Sequence, residues 1–107
     1  MGRIQDIHPK GLMTACEIAI HILDHCKSIE AFEAYMFGST LHGVGNDVDI
    51  LIVGPRGEKL SLLKDELFAA GKELPLDILY MDPSEALETD FVIAEGCVEL
   101  SFLAYSK

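Results

Sequence analysis

Five residues of this 107-residue chain have the types and spacing to do chemistry together: Gly38, Ser39, Asp47, Asp49 and Asp77. Asp47 and Asp49 flank Val48 at the head of an apolar run, Val48-Asp49-Ile50-Leu51-Ile52-Val53. Successive side chains of a strand alternate faces, so the two carboxylates project on one side while Val48, Ile50 and Ile52 project on the other. Like charges held a few ångströms apart raise each other's pKa and resist joint ionisation, and a divalent cation is the usual remedy. Carboxylate oxygens suit Mg²⁺, which keeps several waters and completes its shell with substrate phosphates. Gly38-Ser39, just upstream, fits the other half of such a site. Gly38 has no Cβ to keep backbone away from a phosphate, and a short helix starting after Ser39 would turn free N–H groups toward the anion. Asp77 lies among Leu74, Leu76, Ile78 and Tyr80. It is either a surface carboxylate on an edge strand or a third acid of the site, and its apolar neighbours favour the second reading.

Strands must carry these groups, and the pattern supplies them. Phe32 to Phe37, rich in aromatics and ending at Gly38, reads as a first strand, and Val48 to Val53, almost continuously apolar, as an interior strand covered on both faces. The loop 40–46 between them holds Gly43, Gly45 and Asn46, which tolerate positive φ. So short a return predicts an antiparallel pair, with Gly38-Ser39 beside Asp47. Leu74 to Met81 is the third strand, with Pro75 near its start, where a missing N–H does least harm. A helix over Glu58 to Gly71, with Gly71 as a C′ cap, separates strands two and three and is long enough for a right-handed crossover, which permits a parallel pair.

Around this core the sequence predicts a helix over Thr14 to Lys27, opened by a Thr14/Glu17 capping box. His21 and His25 lie four apart on it, but no acid adjoins the first and no third ligand is near, so they read as structural. Asp82-Pro83-Ser84-Glu85 starts another helix running through Ala94, with room for a break near Thr89. Glu95 to Leu100 reads as a turn and closing strand. Phe102, Leu103 and Tyr105 give the tail an apolar character that calls for packing, against this chain, a second copy or a partner. The expected fold is α/β (α+β), a small mixed sheet of three to four strands covered by helices, in a single domain with its core at about residues 14–100.

Phe37-Gly38-Ser39, a seven-residue spacer over 40–46, and Asp47-Val48-Asp49, with Asp77 on a later strand, resemble the nucleotidyltransferase domain of the DNA polymerase β superfamily, most closely its minimal single-domain members. The resemblance spans about residues 28–100. It implies transfer of a nucleoside monophosphate from an NTP, with ATP favoured among them, to a hydroxyl of an antibiotic, a nucleotide or a protein. It further implies Asp47, Asp49 and Asp77 as catalytic and metal-binding residues for two Mg²⁺ ions, or Mn²⁺ in their place, and Gly38, Ser39 and His42 as phosphate-binding ones. Minimal members often work beside a helical partner protein, in some cases as the antitoxin of a toxin–antitoxin pair. They also commonly carry arginines after Gly-Ser, whereas Thr40-Leu41-His42-Gly43 offers His42 alone, with Arg56 or Lys59 as candidates to reach in from the next loop. A catalytically weak or inactive binding module or antitoxin is therefore the alternative reading.

Composition narrows the partners. A net charge of −10 gives no general footprint for the phosphate backbone of long DNA or RNA. A small substrate or a basic protein suits that charge better. Half of the residues are apolar, enough for one core. Met1 to Lys10 lacks a basic segment followed by an apolar one, and no apolar run approaches the ~20 residues of a membrane span, so no secretory signal and no membrane contact are expected. Cys16, Cys26 and Cys97, odd in number and widely spaced, read as reduced, mostly buried thiols of a cytoplasmic protein.

Overall fold

The structure, a computed structural model, describes residues 14–42, 47–72 and 74–105. The expectations for Met1 to Lys10 and for Gly43, Gly45 and Asn46 lie outside the described residues. In chain order the elements are α1 (Ala15–His25), a 3-10 turn (Lys27–Ala31), β1 (Glu33–Phe37), a second 3-10 turn (Ser39–His42), β2 (Val48–Val53), α2 (Glu58–Ala70), β3 (Leu76–Met81), α3 (Pro83–Thr89), α4 (Phe91–Ala94), β4 (Val98–Glu99) and α5 (Leu100–Tyr105).

The helix starts follow from side-chain chemistry. Thr14 Oγ1 accepts from the Glu17 N–H at 3.1 Å while Glu17 Oε1 accepts from the Thr14 N–H at 2.9 Å. Asp82 and Glu85 repeat the exchange at the head of α3, with Pro83 in the first turn. Each box satisfies two N–H groups that a helix start leaves without an internal partner. Asp90, at φ 57°, breaks the segment into α3 and α4, one residue past the expected place. A short polar side chain tolerates that left-handed conformation better than most. Gly71 does not act as the expected left-handed C′ glycine: it is the C-cap of α2 at φ −71°, and a Cβ there would stand 3.2 Å from the Leu67 carbonyl oxygen.

The strands form one mixed sheet in the order β3-β2-β1-β4. β1 runs antiparallel to β2 and β4, and β2 runs parallel to β3, with α2 as the crossover. Pro75 stays outside β3, yet its carbonyl accepts from the Val48 N–H at 2.9 Å. The proline that cannot donate thus still begins the parallel ladder.

Alternation then sorts the sheet's faces. Met36, Val48, Ile50 and Ile52 pack against Ile18 and Ile22 of α1, Leu63 and Leu67 of α2 and Leu100 of α5. Leu51 and Val53, on the opposite face of β2, are also buried. Phe37 on that face meets Phe91 of α4 edge-to-face, with ring centroids 5.1 Å apart. β2 is therefore covered on both sides along most of its length, as its apolar run predicts. The tail packs partly on its own chain: Leu103 and Ala104 lie against the core while Phe102 and Tyr105 remain exposed. The thiols differ from expectation at Cys16, which is exposed, whereas Cys26 is buried and Cys97 half-buried. Burial, with a smaller contribution from Glu66, pushes the Cys26 thiol up to about 11, which suppresses its thiolate at neutral pH. Among the described residues no helix is long and apolar enough to cross a membrane.

One polar contact ties the first 3-10 turn to α2. Glu66 accepts from the Ser28 N–H at 2.9 Å and from the Ser28 hydroxyl at 3.1 Å, both part-buried. Glu66→Ala strands both donors and is expected to destabilise the fold by about 1–3 kcal/mol in urea unfolding, with Glu66→Gln recovering part of the loss. A Glu66→Ala protein as stable as the parent would show that this contact contributes nothing.

Candidate active site

β1 delivers Phe37-Gly38-Ser39 to one end of the sheet, and its antiparallel register sets Phe37 opposite Asp49. Directly opposite residues share a face, so the Asp49 carboxylate stands beside the turn that leaves β1. Gly38 adopts φ +81°, a conformation that favours glycine. A Cβ on Gly38 would overlap the Asp49 carboxylate. The glycine thus serves first to make room for an acid, where the sequence suggested room for a phosphate.

The turn is held in two places. The Leu41 N–H donates to the Gly38 carbonyl at 3.2 Å, closing the 3-10 turn that begins at Ser39. Thr40 Oγ1 donates to the Asp47 carbonyl at 2.8 Å, fastening the segment after Gly-Ser to the backbone of the acid pair. Sequence reasoning passed over Thr40, a hydroxyl seven residues before Asp47 in a short return loop.

The parallel pairing of β2 with β3 brings in the last acid. Asp49 and Asp77 are register partners, and Asp47 precedes Asp49 by two residues, just ahead of β2. Asp47 and Asp77 are exposed and Asp49 is half-buried. Burial first, then the charges of Asp77 and Asp47, hold the Asp49 carboxyl above its ordinary pKa of 3.8. The charges of Asp47 and Asp77 are therefore both felt at Asp49. The three acids do not close into a ready cage: among the described residues no three His, Cys, Asp or Glu side chains are placed to hold a metal ion.

Other expectations fare differently. Ser39 begins the turn beside the acids, whereas the side chain of His42 lies outside the described residues. Arg56 and Lys59 follow the far end of β2. The four steps from Asp49 to Val53 span about 13 Å of strand. Both cations therefore start from the opposite end of β2 from Asp49. Three cavities, of about 480, 600 and 700 Å³, are lined by other described residues.

The family model for the nucleotidyltransferase domain matches residues 20–99. The chain belongs to this family. No curated protein and no solved structure matches it. The matched span of this nucleotidyltransferase-domain protein contains the Gly-Ser turn, the Asp-x-Asp pair and Asp77, and its α+β architecture with a four-stranded mixed sheet is consistent with the nucleotidyltransferase fold.

In chemistry the candidate ligands suit a hard divalent cation, since all three are carboxylates and two are exposed, but among the described residues they are not placed together to hold one.

Two measurements test this geometry. Because the folded protein raises the pKa of Asp49, the carboxylate weakens the fold above the unfolded value of 3.8, and the penalty fades as acid protonates it. Without divalent cations, Asp49→Asn is therefore expected to raise Tm at pH 7 by about 1–4 °C, a gain that disappears below about pH 4. A lower Tm at pH 7 would show that Asp49 is not electrostatically frustrated.

Gly38→Ala is expected to cost about 1–3 kcal/mol through its positive φ and the overlap with Asp49. In Gly38→Ala/Asp49→Ala the overlap is gone, so the double variant should be more stable than the two single losses predict by about 1 kcal/mol. Strict additivity would contradict the contact.

Proposed function

We propose that this chain is a divalent-metal-dependent nucleotidyltransferase that moves AMP from ATP onto a hydroxyl of a small molecule or a partner protein, with pyrophosphate leaving. The observation that carries this reading is the placement of Asp49: between Asp47 and Asp77 in charge, opposite Phe37 in register, and against a glycine that leaves it space. Membership of the nucleotidyltransferase-domain family supports the reaction class.

Phosphoryl and nucleotidyl transfer require positioning and charge neutralisation more than covalent help from the protein. Asp47 and Asp49 would hold one Mg²⁺ or Mn²⁺ ion, and Asp49 and Asp77 a second. When bound, such ions neutralise phosphate oxygens and lower the pKa of an acceptor hydroxyl. The chain's own part is to hold Asp49 and Asp77 as register partners on adjacent strands, with Asp47 just ahead of the first. Ser39 and the N–H groups of its turn supply hydrogen-bond donors to the terminal phosphates. Thr40 keeps that turn against Asp47.

The net charge of −10 argues against a long nucleic acid as the acceptor and for a small hydroxyl compound or a basic protein surface. Exposed Phe102 and Tyr105 on α5 are candidates for contact with a helical partner protein or with a second copy. A second reading, a non-catalytic binding module or antitoxin, is favoured by one specific observation. The three acids stand unclosed, and residues 40–46 contain no arginine to offset phosphate charge.

Incubation with Mg²⁺ or Mn²⁺ and each α-labelled NTP, with candidate acceptors and partner proteins, separates the two readings. Label is expected to pass to an acceptor from ATP, and Asp49→Asn is expected to reduce transfer by about a hundredfold or more. Absence of transfer, together with partner binding that Asp49→Asn leaves intact, would establish the binding module.

A further inference from the structure

Cations are scarce in this chain, 8 Lys and Arg against 18 Asp and Glu, yet several are gathered along one side of the sheet. Two cavities, of about 480 and 600 Å³, adjoin between α2 and β3 and share Lys64 and Tyr80. Arg56 and Lys64 line the first, Lys64 and Lys72 the second. Among the described residues Asp82 is the single carboxylate lining either, and its Oδ1 already accepts from the Glu85 N–H and the Ser84 hydroxyl, each at 2.8 Å. The lysines rest over aromatic rings: the Lys64 ammonium lies 4.8 Å from the Tyr80 centroid and that of Lys72 5.9 Å from Phe68. Phe68 itself is 75% exposed.

Beside this basic, apolar groove runs a strand with one side open. Among the described residues β3 is at the edge of the sheet, paired with β2 alone. An edge strand presents unpaired N–H and C=O groups, which an extended peptide can complete while alternate side chains enter flanking pockets. On the β3 face that bears Asp77, the added strand would meet a carboxylate, so its own charges must lie on the groove side.

We propose that the β3 edge receives an extended acidic segment of another protein as a fifth strand. Its groove-side residues alternate between apolar side chains that enter the two cavities and carboxylates that meet Arg56, Lys64 and Lys72. Its opposite face is uncharged, because Asp77 lies there. A second copy of this chain does not supply that pattern from β3, whose charged residue is Asp77 alone. The inference does not depend on catalysis, since the groove excludes Asp47, Asp49, Gly38 and Ser39.

The test uses the full chain and a fluorescein-labelled peptide, Glu-Thr-Val-Thr-Glu-Thr-Ile-Thr-Glu, followed by anisotropy, with amide exchange read over β3. Saturable binding with a midpoint below about 1 mM is expected, together with slowed exchange in β3. Lys64→Glu/Lys72→Glu, at two exposed positions of the α2 region, is expected to weaken binding about tenfold or more, as is salt at about 0.5 M. The same peptide N-methylated at alternate backbone nitrogens should not bind. The proposal is overturned by no saturation at 1 mM, by equal binding of the lysine-for-glutamate peptide, or by binding that the double variant leaves unchanged. Protection mapping to α3 and α4, or self-association of the chain through β3 in sedimentation, would overturn it as well.

Discussion

The pairing of β2 with its two neighbours is the constraint on which the site depends. One register sets Asp49 against Phe37 and the other sets it against Asp77. Because side chains alternate along a strand, slipping either pairing by one residue would bury a carboxylate and expose Val48, Ile50 and Ile52. The apolar face therefore fixes the position of the acids. Hydrophobic burial against α1, α2 and α5 supplies the free energy, and electrostatic repulsion among Asp47, Asp49 and Asp77 consumes a small part of it.

That arrangement explains why the acids are crowded at a strand end and not at its middle. Leu51 and Val53, later on the same face of β2, are buried, and Phe37 reaches Phe91 across that face. A carboxylate at either position would lose its water without gaining a partner. At Asp49 burial is partial, so its pKa is raised while water or a cation can still reach it. Gly38 completes the accommodation from the other side.

Much of this could be read from the residues. The apolar run of β2, the capping boxes at Thr14 and Asp82, the short return after Gly38 and the crossover length of 54–75 each express a local rule, and each element forms with ends shifted by a residue or two. What stayed hidden depends on distance in space. Nothing in the sequence indicates that Gly38 makes room for Asp49, that Thr40 binds the Asp47 carbonyl, or that Arg56 lies past the opposite end of β2 from Asp49. Gly71 misled for a related reason: its value lies in the space beside the Leu67 carbonyl and not in a left-handed φ.

The separation of charge across the molecule carries the last step. Acids gather at the N-terminal ends of β2 and β3, while Arg56 and Lys64 flank the cavity at their C-terminal ends. With those cations remote, a triphosphate at Asp49 would depend on divalent ions and backbone N–H groups for nearly all of its charge neutralisation, because carboxylates alone repel it. The missing arginines are thus a physical condition on the proposed activity, not a detail of sequence. Affinity for nucleotide and affinity for metal must rise together in such a site, since each supplies ligands that the other lacks. The protein's contribution to such a site is then mostly a register: Asp49 and Asp77 paired across strands whose opposite face is too apolar to let them slip, with Asp47 just ahead of β2.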